Sequence, residues 1–145
     1  MTIWNNEHLW IPIITWFIVQ SVKVIIDLMK NKKLNVRRLW GSGGMPSSHS
    51  ALMTSLSTTI AYAEGVDSPL FALAVIMSMV VMYDAAGVRR AAGKQARVLN
   101  QIIESEGKDI NIQEKLIELL GHTPVEVFAG ALVGIAIASL LELIW

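Results

Sequence analysis

The sequence predicts an all-α integral membrane bundle of four transmembrane helices, with a short amphipathic helical insertion between the third and the fourth. Three observations lead there. The 145-residue chain is 53% hydrophobic and only 17% charged, with a mean hydropathy of +0.50; that is too apolar for an ordinary soluble domain of this length and long enough for one domain. Its apolar residues gather into four segments of membrane-spanning or nearly spanning length. Four of the five tryptophans, Trp4, Trp10, Trp40 and Trp145, fall at or near the ends of those segments, where interfacial aromatic rings sit.

The first segment runs from about residue 9 to 29 and is interrupted by Gln20, Lys23 and Asp27, which share one helical face. The second, about 48–63, is short and rich in Ser and Thr. A full crossing takes roughly 20 residues, so this segment is marginal alone and depends on neighbours for its polar groups. The third spans about 69–88 and the fourth about 124–145. In the fourth, Gly130 and Gly134 with Ala138 make a stripe of small residues that lets helices approach closely, within the bundle or as the seam of a homodimer. A soluble bundle with unusually apolar helices is the rival architecture.

The connections differ in weight. Residues 64–68 are a tight turn. Residues 30–47 form a longer, basic loop ending in the flexible run Gly41-Ser-Gly-Gly. The soluble insertion covers about 90–121: Ala91, Ala92, Val98, Leu99, Ile102 and Ile103 recur at helical spacing, Gly107 and Asp109 break the pattern, and a shorter amphipathic helix is predicted around 112–120. These helices would lie on the membrane surface or cover the site. With an even number of spans, both long loops share one side and both termini the other.

Lys+Arg and Asp+Glu each number 12, so the charge balance suggests no nucleic-acid partner, and the absence of cysteine excludes disulfides and thiolate metal sites. The N-terminus carries Glu7 where a secretory leader would be basic, so the first apolar run is expected to stay as an anchor.

Chemistry-bearing residues collect on the loop side. Gly43-Gly-Met-Pro-Ser-Ser-His-Ser opens the second span, and a helix beginning near Pro46 there offers free amides and the positive end of its dipole to an anion. Ser47 and Ser48 add hydroxyls and His49 a proton donor. Plain helix caps and a polar interface residue would explain the same three. The third span closes with Tyr83-Asp-Ala-Ala-Gly-Val-Arg-Arg, whose Arg89 and Arg90 are either phosphate ligands or flanking charges. The fourth opens with Gly121-His-Thr-Pro-Val-Glu. Thr123 to Glu126 reads as a capping box, which leaves His122 unexplained; a carboxylate four residues on would hold its imidazole in one tautomer. An ionisable residue inside a span, here Lys23, is a functional candidate in its own right; a Lys23–Asp27 pair that merely neutralises itself is the plainer alternative.

On Pro46-Ser-Ser-His and His122-x3-Glu126 the chain resembles the type-2 phosphatidic acid phosphatase and vanadium haloperoxidase superfamily. With Gly43-Gly-Met-Pro-Ser-Ser-His-Ser-Ala, Asp84-Ala-Ala-Gly-Val-Arg-Arg and Gly121-His-Thr-Pro it looks more closely like that superfamily's divergent bacterial and plant branch. The superfamily pattern is K-x6-R-P, P-S-G-H and S-R-x5-H-x3-D on four core helices. Ser48 stands for its glycine and Glu126 for its aspartate. The insertion separates Arg89 or Arg90 from His122. Lys30 and Arg37 match the first motif's spacing, but Arg38 occupies the proline position, so Lys23 is the better match to the family lysine.

The resemblance implies a lipid phosphate phosphatase working through phosphohistidine: His122 as nucleophile, Glu126 orienting it, His49 as acid, and Lys23, Ser47, Ser48, Arg89 and Arg90 holding phosphate, with no metal or cofactor. A non-enzymatic membrane protein, such as a small anion transporter or assembly subunit, is the alternative from another class, and a haloperoxidase holding vanadate a further one. Lys30, Lys32, Lys33, Arg37 and Arg38 fill a loop without an acid, which by the positive-inside rule puts the loops and the site in the cytoplasm, in the cell membrane.

Overall fold

The computed structural model describes residues 3–32, 44–105, 116–118 and 120–144. Among them, after a single 3₁₀ turn at Ile3–Asn5, come five helices: α1 Glu7–Asn31, α2 Ser48–Glu64, α3 Pro69–Ala86, α4 Val88–Ser105 and α5 Pro124–Glu142. No strand occurs among the described residues. Arg37, Arg38 and most of the basic loop lie outside them, as do Trp40 and Trp145. Of the shorter helix predicted at 112–120, residues 116–118 and 120 are described and are not helical. This corrects the sequence reading, and the cause is Asn100, as set out below.

Local chemistry fixes each helix start. Asn6, Ser47, Ser68 and Thr123 cap α1, α2, α3 and α5 by accepting a hydrogen bond from an amide of the first turn. Pro69 and Pro124 occupy first-turn positions, where a missing amide costs nothing. α2 begins at Ser48 rather than near Pro46, because the Ser47 hydroxyl takes the cap. The α2–α3 turn passes through Gly65 at φ 84°, a conformation glycine reaches without a Cβ penalty.

The Ser/Thr-rich α2 is the hub and packs against α1, α3 and α5. Its hydroxyls are satisfied inside the bundle. Ser55 pairs with Thr15 of α1 at 3.0 Å, Ser57 with Ser78 of α3 at 2.9 Å, and Thr54 donates to the Ala131 carbonyl of α5 at 3.0 Å. The small-residue stripe of α5 explains the closest contact. A Cβ on Gly130 would run into the Ser47 backbone, and one on Gly134 into Ala51 and Thr54. Gly130, Gly134 and Ala138 are all buried, so the stripe is used for packing within the bundle.

Outward, the bundle is apolar: Phe17, Ile25, Leu73, Val80, Leu132 and Leu140 are all more than half exposed. Three stretches, Glu7–Met29, Pro69–Ser105 and Pro124–Glu142, are long and apolar enough to cross a membrane. α2, polar and enclosed, is not among them.

Candidate active site

Up-and-down connectivity brings the last third of α1, the N-terminus of α2, the C-terminus of α3 and the N-terminus of α5 to one end of the bundle. There, two buried backbone bonds tie the segments together. Ser47 N donates to the Glu126 carbonyl at 3.0 Å, joining α2 to α5, and His122 N donates to the Ala85 carbonyl at 2.9 Å, joining the α5 approach to α3.

These ties bring His49 and His122 together from positions far apart in the chain. Their ring centroids are 6.1 Å apart with planes inclined at 66°. His122 is 2% exposed, and its Nδ1 lies 3.4 Å from Glu126 Oε2. The same carboxylate oxygen accepts the Thr123 amide at 2.8 Å, while Thr123 Oγ1 accepts the Glu126 amide at 3.3 Å. The capping box and the histidine contact are therefore one arrangement. Burial lowers the His122 pKa from its ordinary 6.5, the Lys23 ammonium lowers it further, and Glu126 and the Gly44 backbone oppose them. A neutral imidazole with Nδ1 turned to a carboxylate leaves Nε2 as its nucleophilic atom.

Lys23 is buried in the α1–α2 contact and donates to Ser48 Oγ at 3.1 Å. Ser47 is fully buried, and its oxygen accepts from the Ser50 amide at 3.3 Å and the Ser50 hydroxyl at 3.0 Å. Its visible work is therefore capping, as the simpler reading of the sequence had it. Arg89 is half-exposed, pairs through Nε with Asp84 Oδ2 at 2.6 Å, and stands near enough to His49 for its charge to act there, as does Asp84. The backbone of Arg90 forms the floor under Gly121, where any Cβ would collide with it. Gly121 adopts φ 78° at this point. Among the described residues, no three His, Asp or Glu side chains gather in a way that would hold a metal ion.

Two residues that position the site carry no motif. Asn100, 5% exposed, accepts from Leu116 N at 3.1 Å and donates to Leu116 O at 2.9 Å and to Glu118 Oε1 at 2.8 Å. Bonding both backbone groups of Leu116 to a side chain takes them away from a helical ladder, which is why no helix forms at 116–118. Gly93 lets this strap lie against α4: a Cβ there would meet the Glu118 and Leu120 carbonyls. The strap then runs back along α4 to deliver Gly121 and His122 to the end of α3. Asn100 and Gly93 share one helical stripe of α4 with Ala96, and that stripe is the only signal the sequence offers.

Fold and site together define a small, all-helical integral membrane protein with two histidines and a buried lysine at one end of its bundle. The chain belongs to the divergent PAP2 family, whose model matches residues 4–137. It is similar to the uncharacterized membrane protein YuiD of Bacillus subtilis strain 168, with 45% identity over 134 residues covering 84% of this chain and 85% of that one. No solved structure matches it.

Proposed function

We propose that the protein is a metal-independent phosphatase that hydrolyses the phosphomonoester or pyrophosphate of a membrane lipid. All four long bundle helices, α1, α2, α3 and α5, cross the bilayer in this reading, with polar α2 shielded by the other three. The observation that carries the proposal is the convergence of His49 and His122 at 6.1 Å, beside a lysine that is 5% exposed. A structural role alone gives little reason to bury an imidazole and an ammonium beside a second, half-buried imidazole.

His122 Nε2 attacks phosphorus. An N–P bond forms as the bond from phosphorus to the leaving oxygen breaks, and His49 gives its proton to that oxygen, which departs as the lipid alcohol of a phosphomonoester or the lipid monophosphate of a pyrophosphate. The substrate's own negative charge favours the protonated form of His49 as it binds. Water then attacks the phosphohistidine, with His49 taking its proton, and inorganic phosphate leaves. Lys23, Arg89 and the opening amides of α2, whose donors have no acceptor within the helix, meet the charge that builds on the phosphoryl oxygens. Ser48 steadies Lys23, Ser47 holds the α2 terminus in place, and Arg90 offers a further cation. Glu126 fixes the His122 tautomer.

Phosphate release from purified protein tests this directly, against phosphatidic acid, phosphatidylglycerophosphate and polyprenyl phosphates and pyrophosphates. We expect turnover of at least one, persisting in EDTA and inhibited by vanadate, which mimics the five-coordinate transition state. Release that disappears with EDTA, or no release from any lipid, would overturn the proposal.

The basic loop sets a second expectation: the site faces the cytoplasm of a cell membrane, and the substrate is one available in the inner leaflet. The chain has no cysteine of its own, so single cysteines at Asn5 and Asn35 report the orientation cleanly. An impermeant maleimide added to intact cells should label position 5 and spare position 35. The reverse pattern would put the site outside and remove the argument for an inner-leaflet substrate.

A further inference from the structure

α4 has three faces. Gly93, Ala96 and Asn100 are buried beneath the strap. Arg90, Lys94, Arg97 and Gln101 recur at three- and four-residue intervals as a polar, cationic stripe. Val88, Val98, Leu99 and Ile102 fall on the remaining arc, which Gln95 alone interrupts with a long polar side chain, and are 61%, 54%, 49% and 48% exposed. The helix carries four cations, Arg89, Arg90, Lys94 and Arg97, against the single acid Glu104. Arg89 pairs with Asp84 and Arg97 with Glu118, which leaves Lys94 as the exposed cation of the stripe outside these pairs. Among the described helices, α4 packs appreciably only on α3, so no described helix covers that apolar arc.

Its position in the chain identifies what does. α4 follows α3 within the 37-residue stretch Pro69–Ser105, far more than the roughly 20 residues one crossing needs. The break comes at Gly87, where φ −102° and ψ −85° depart from helical values. The first cations follow at once, at Arg89 and Arg90. A helix with an apolar arc, a cationic flank and a start at the end of a membrane span is built for the boundary between headgroups and acyl chains. We propose that α4 lies in the membrane interface. Its Val88, Val98, Leu99 and Ile102 face enters the acyl layer, and its Lys94 flank binds anionic lipid headgroups beside the candidate active site. This holds whether or not the protein is a phosphatase.

The test needs no turnover. Nitroxides on single cysteines at Ile102 and Gln101, in nanodiscs with and without anionic lipid, report depth by the ratio of oxygen to aqueous nickel accessibility. We expect a ratio several-fold higher at Ile102 than at Gln101. It should fall when anionic lipid is omitted or when Lys94→Glu is added. Leu99→Cys serves as a second reporter should the Ile102 variant fold poorly. Equal aqueous accessibility at the apolar positions and Gln101 would overturn the proposal. So would dipolar broadening between labels, which would mean that a second copy covers this face instead.

Discussion

Replacing His122 with alanine is expected to lower phosphate release by about 10³-fold or more, since loss of a covalent nucleophile is among the largest single-residue effects in catalysis. The bundle should stay folded, because the tie from position 122 to Ala85 is made by the backbone amide, which alanine keeps. His8 lies at the start of α1, far from the site, and His8→Ala should release phosphate normally. A His122→Ala protein with near-native activity would remove this histidine from the mechanism.

The environment of His122 adds a pH signature. Burial and Lys23 hold its pKa below 6.5 in the folded protein, and the attacking form is the neutral one. Its activity is therefore fully present above that ordinary value and is lost only as pH falls through the lower folded one. The acid limb of kcat/KM should have its midpoint below 6.5, the value of an unperturbed imidazole. A limb centred above it would contradict the assignment. Glu126→Gln should move that limb further down by removing the charge that favours imidazolium, while keeping much of the cap.

Gly134→Leu is expected to be the most damaging substitution for the fold. Its side chain would be driven into Ala51 and Thr54 of α2 and would break the hydrogen bond from Thr54 to Ala131. Overpacking of a tight core costs about 1–3 kcal/mol and more when backbone must move. For a chain of this size we expect an apparent Tm roughly 10 °C lower or failure to accumulate, read by circular dichroism in detergent. Leu132→Ala, on the exposed face of the same helix, is the control and should be nearly silent. Were Gly134→Leu to keep its Tm and lose only self-association, the stripe would be a dimer seam and not the α2–α5 contact.

Much of this was legible because it rests on short-range chemistry. Ser68-Pro69 and Thr123-Pro124 announce helix starts, and the spacing of Gly130 and Gly134 announces a close helix approach. His122 and Glu126 stand four positions apart across a helix start, near enough in sequence to meet. The strap was not legible. Its apolar residues Leu116, Ile117 and Leu120 mimic a helical period, and the side chain that overrides it, Asn100, lies 16 positions away from Leu116. The Asp84–Arg89 pair was hidden too, since five residues along an unbroken helix would not place them face to face; the departure at Gly87 does. The basic loop with Arg37 and Arg38 falls outside the described residues.

The enclosed hydroxyls of α2 have a consequence for how the protein is made. Ser55 pairs with Thr15, already synthesised, but Ser57, which also donates to Met53 of its own helix, meets Ser78, and Thr54 also donates to Ala131, in a helix translated after α4. Until α5 emerges, α2 has an open flank and polar groups unshielded from lipid, where they are costly. Biogenesis therefore has a late checkpoint: chains stopped before α5 should be recognised as orphans and cleared by membrane quality-control proteases, and supplying α5 as a separate fragment should rescue them.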